Sequence, residues 1–111
     1  MAPSPTLTPG QERRRLLHDL LVGLLGSRNV YFQPPTNIEM KYPAIVYARD
    51  SSSTDYADNG PYRRKKRWTI THISRDPEDP VPDKIEDIPL CAFNRFFVAE
   101  NMNHNVFNLY F

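Results

Sequence analysis

YRRKKRWTITHISR, residues 62–75, sets the reading of the whole chain. It opens with five consecutive cations, Arg63 to Arg67, and then alternates through Trp68, Thr69, Ile70, Thr71, His72 and Ile73. β-Branched and aromatic residues in alternation fit a pleated, half-buried surface, so the second half is expected as a strand anchored in a core. The first half carries charge on both faces and is expected to project beyond that core.

Immediately upstream, YPAIVYAR (42–49) is apolar at nearly every position, the pattern of a strand covered on both faces. Its Pro43 belongs at the strand's start or edge. DSSSTDYADNGP (50–61) joins the two strands, and Asn59-Gly60 favours a tight turn. The pair is therefore expected as a hairpin whose long tip carries Tyr56 between Asp55 and Asp58.

Further upstream, Thr8 suits a helix N-cap, with Pro9 at the first helical position and Gln11 completing a capping box. Leu16, Leu17, Leu20, Leu21, Leu24 and Leu25 give this helix a broad apolar face, and Gly26 stops it. Arg15, His18, Asp19 and Gly23 fall on the other side. Val30 to Gln33 is a short strand ended by Pro34 and Pro35.

Downstream, DPEDPVP (76–82) is a proline-stiffened acidic turn and DKIEDIPL (83–90) a short helix ended by Pro89. Phe93 to Glu100 and Asn105 to Phe111 are two strands joined by residues 101–104. The element order predicts an α+β domain. Its antiparallel-dominated sheet has about five strands, a long N-terminal helix on one face and a short second helix. Residues 1–8 form a leader and 9–111 one domain. Phe111 ends an apolar strand, so the terminus is expected to be tied down in this sheet or against a neighbour.

Composition narrows the chemistry. At 40% hydrophobic and 24% charged, the chain is too apolar to stay disordered. Its net charge of +1 makes the basic run a local asymmetry, which argues against specific nucleic-acid binding. Cys91 stands alone, so an intramolecular disulfide and a cysteine-based zinc site are excluded. No apolar run approaches the ~20 residues of a spanning helix. His18, His72 and His104 lack paired ligand spacing, the acids of 76–83 lack the glycine of a calcium loop, and no glycine-rich phosphate cradle exists. No catalytic, metal or cofactor site is expected, and the chain is read as not an enzyme. For the basic run three uses stay open: gripping phosphates with Tyr62 and Trp68 stacking bases, blocking edge aggregation, or meeting an acidic surface of a neighbouring subunit.

Five segments in order, VYFQPP (30–35), MKYPAIVYARD (40–50), YRRKKRWTITHISRDP (62–77), DKIEDIPLC (83–91) and NMNHNVFNLYF (101–111), resemble the tail terminator (tail completion) proteins of long-tailed bacteriophages. The resemblance runs from about Leu16 to Phe111. It implies a virion assembly protein that forms a homohexameric ring on the head-proximal end of the tail tube. Such a ring stops tube polymerisation and presents a docking surface to the head-side connector. The implied location is the tail-neck junction, and the host cytoplasm during assembly. The family offers no catalytic motif to carry over. The hairpin is the expected contact region, through Tyr47, Arg49, Tyr56, Arg63, Lys65 and Arg67. Alternatives are another neck component, such as a head-closure stopper or minor tail protein, and a small nucleic-acid-binding module.

Overall fold

The computed structural model describes residues 8–50 and 66–111. Helix α1 (Pro9–Leu25) begins as its sequence dictates. The Thr8 hydroxyl accepts from the Gln11 N–H at 3.2 Å, and the Gln11 side chain accepts from the Thr8 N–H at 2.9 Å. Gly26 closes it in the left-handed region at φ 79°, where a side chain would be strained.

The stripe that α1 buries is rotated from the expected face. Leu17 and Leu21 are fully buried, while Leu16 is 62% exposed. His18 sits half-buried on the packed side. Arg14, Leu17, His18, Leu21 and Leu25 align at i, i+3, i+4, i+7 and i+11, and this narrower line meets the sheet.

Five strands follow: β1 (Val30–Phe32), β2 (Ala44–Arg49), β3 (Arg67–Ser74), β4 (Cys91–Ala99) and β5 (Met102–Tyr110). Their order is β1-β2-β3-β5-β4. β2 and β3 pair antiparallel from Ala44↔Ile73 to Arg49↔Trp68, as the hairpin reading requires. β1 pairs parallel to β2, so the sheet is mixed but mainly antiparallel. The expected four-residue connection before the last strand is a two-residue turn instead. Glu100 and Asn101 both take positive φ (53° and 62°), which matches the right-handed twist of a tight hairpin and lets β5 start at Met102.

Short helix α2 (Val81–Glu86) starts before the expected Asp83. The Asp79 carboxylate accepts from the Val81 N–H at 2.9 Å and so sets the earlier start. The terminus is tied within this sheet: Phe111 and Lys66 exchange backbone hydrogen bonds of 2.9 and 3.1 Å.

The core lies between the helices and one face of the sheet. It joins Leu17 and Leu21 to Ile45, Tyr47, Trp68, Ile70, Ile85, Phe107 and Leu109. His72 is also fully buried, with Nε2 3.6 Å from the Asp79 carboxylate. Burial lowers its pKa below the ordinary 6.5, and Asp79 offsets only part of this. The sign follows. As pH falls past about 6.5 the unfolded chain takes up this proton first, so stability drops until the lower folded pKa is reached. Urea midpoints should therefore decline as pH falls below about 6.5, and His72→Leu should flatten part of that decline. An identical slope in the variant would refute the assignment.

Candidate functional site: an exposed aromatic edge strand

Of the six residues expected to make contacts, three lie among the described residues, and each of these is engaged within its own chain. Tyr47 is 0% exposed, which removes it as a contact residue. It lies in phase with Ile45 on the helix-covered face. Its hydroxyl is 2.8 Å from His18 Nδ1 and accepts from Arg14 at 3.3 Å, pinning α1 to the sheet. Burial raises the phenol's pKa despite the Arg14 hydrogen bond.

Arg49 is exposed but lies over the Trp68 ring at 5.6 Å, covering the core's aromatic end. Arg67 is ion-paired with Asp50 at 3.2 Å, and Thr69 donates to the same carboxylate at 3.3 Å, so this cation closes the base of the hairpin. Tyr56, Arg63 and Lys65 lie outside the described residues.

Among the described residues, exposed large apolar side chains are concentrated on β4. The strand order makes β4 an edge, paired with β5 on one side and with no strand on the other among the described residues. Phe93 is 47% exposed, Phe96 51%, Phe97 37% and Val98 62%. Register with β5 places Phe93 opposite Phe107, Phe96 opposite Asn105 and Val98 opposite Asn103, on the face that carries the helices. Arg95 and Phe97 lie opposite Val106 and His104, on the other face.

Length explains the exposure. A six-residue helix spans about 9 Å, whereas a nine-residue strand spans about 30 Å. α2 therefore covers only the beginning of β4, while α1 packs on β1, β2 and α2. Phe96 and Val98 extend past the reach of α2.

Two of the exposed rings are held in place. Phe93 meets Phe107 edge-on at 5.7 Å, and Phe97 stacks on His104 at 4.6 Å with an interplanar angle of 13°. Arg95 lies 5.2 Å over Phe97. Exposed apolar side chains along an edge strand with no strand beyond it among the described residues are a template for another chain. The protections are slight: one charge, Arg95, and one register shift between Phe93 and Arg95. The sequence held one signal of this surface. CAFNRFFVA is apolar on both alternating faces, whereas a strand beside one short helix can bury only one.

A groove adjoins this edge where α2 meets β4. It encloses about 250 Å³ and is lined by Pro82, Asp83, Glu86, Phe93, Asn105 and Phe107. Cys91, the first residue of β4, packs half-buried against the core, its thiol pushed up to about 11 by burial and then by Glu86. It stays protonated at neutral pH and is a weak nucleophile. Among the described residues, no three His, Cys, Asp or Glu side chains are grouped to hold a metal ion, and no helix is long and apolar enough to cross a membrane. No protein-family model, curated protein or solved structure gives a significant match to the chain.

Proposed function

We propose that this protein is a structural subunit of virion assembly, one that caps the head-proximal end of a phage tail tube and presents a docking surface to the head-side connector. The observation that carries the reading is the β4 edge, with four large apolar side chains open to solvent. A surface of that kind is built to be covered by protein. The segment-by-segment resemblance to tail terminator proteins supplies the identity of the structure being covered. A ring of identical subunits, six in the family resembled, needs a heterologous contact repeated around an axis. An open sheet edge is suitable for one side of such a contact. The role is binding without turnover and calls for no cofactor. Partners are further copies of the chain, the tube protein and the connector.

Purified protein added to tail tubes should be found by electron microscopy at one tube end and should stop further growth there. Binding along the tube wall, or no binding with continued growth at both ends, would overturn the proposal. Salt-sensitive binding to duplex or single strands, with tubes ignored, would favour the nucleic-acid reading instead.

A further inference from the structure

The α2–β4 groove has a chemistry of its own. Its floor is apolar, with Phe93, Phe107 and Pro82, and its rim carries the carboxylates of Asp83 and Glu86. Both acids are exposed, one helical turn apart on the same face of α2. Aromatic rings below carboxylates suit a long cationic side chain, whose alkyl stem lies on the rings while its head meets the acids. The surroundings share the sign: residues 76–87 hold six acids, Asp76, Glu78, Asp79, Asp83, Glu86 and Asp87, against the single cation Lys84.

The same chain carries the complement, five consecutive cations at Arg63 to Arg67; Arg67 pairs with Asp50 in its own chain, so the docking segment is Arg63 to Lys66. We infer that copies of this chain associate head to tail, with the cationic run of one copy docked in the acidic, aromatic-floored α2–β4 groove of the next. Run and groove are separate features of one chain, so the contact can repeat from copy to copy around an axis, as a ring requires. A two-fold pairing of groove with groove would set acid against acid and is disfavoured. The inference rests on the assembly reading above and adds which surfaces meet.

Two variants test it: Asp83→Lys with Glu86→Lys, and Arg63→Glu with Lys65→Glu. Asp83 and Glu86 are exposed, and far-ultraviolet circular dichroism of each variant is required to match the parent chain before association is compared. Sedimentation equilibrium near millimolar concentration, at about 0.01 M and about 1 M salt, reads association. The parent should associate at low salt and weaken at high salt. Each variant alone should associate about tenfold more weakly or worse, as expected when complementary charges are reversed. An equimolar mixture of the two, and a single chain carrying all four changes, should regain association.

A monomeric parent at low salt, variants that associate like the parent, or a mixture that fails to recover would each overturn the inference. Docking of the run into its own chain's groove predicts that last result. Capping of tail tubes by the same variants is read separately. Capping that persists while solution association is unaffected by charge leaves the assembly reading standing and removes only this pairing.

Discussion

Phe107→Ala is expected to lower the free energy of unfolding by about 3–5 kcal/mol. Phe107 is 1% exposed and lies opposite Ile70 on β3 and Phe93 on β4, so its ring joins the central strands to the edge. It also meets Phe93 edge-on, adding a geometric contact to its burial. Removing the ring leaves a cavity at the point where α2 rests on the sheet, and a sheet cannot close such a space without shifting register. Domains of this size are held by about 5–15 kcal/mol in all, so the loss is a large share of the total. Urea denaturation should show a sharply lower midpoint with an unchanged slope. A shift equivalent to less than about 1 kcal/mol would mean that Phe107 does not occupy the buried position between Ile70 and Phe93.

Phe96→Lys combined with Val98→Lys has the opposite profile, a small effect on stability and a large one on association. Phe96 is 51% exposed and Val98 62%, on the far half of β4 from α2. Exposed substitutions away from special contacts usually change stability by less than about 0.5 kcal/mol, so the fold should be retained. Burial of each half-exposed side chain against a partner would contribute about 1 kcal/mol, and a lysine on a sheet edge actively blocks strand addition. Together these should weaken capping of tail tubes at least about tenfold. Binding that survives both changes would move the contact surface off β4.

The two cases differ in how far the sequence announces them. The helix caps, the β2–β3 pairing and the buried Trp68 and Ile70 are encoded by neighbours in the chain: Thr8 with Gln11, Gly26, and the alternation of 68–73. Their physics is local, and the sequence states it directly. The pairing of β1 with β2 is parallel and joins residues about fifteen apart through an irregular connection. No local pattern distinguishes that from an antiparallel neighbour.

Tyr47 reads as outward in a strand that is apolar throughout and ends in charge, but its phase with Ile45 puts it under α1. His18 follows the same logic in reverse. Six leucines read as one face conceal the narrower line that the sheet selects, which leaves Leu16 outside and His18 within. For β4, apolarity is legible in the sequence and exposure is not. Exposure depends on strand order, and strand order depends on β5 inserting between β3 and β4.

The central claim is that the β4 edge is where another protein adds to this one. Hydrogen–deuterium exchange of the chain, alone and bound to tail tubes, addresses it directly, because alternate backbone N–H groups of an unpaired edge point to solvent. In the free protein the outward amides of Cys91–Ala99 should exchange quickly while those of β3 and β5 are protected. On binding, the β4 amides should slow markedly. Stable binding to tubes with β4 exchange unchanged would contradict the account.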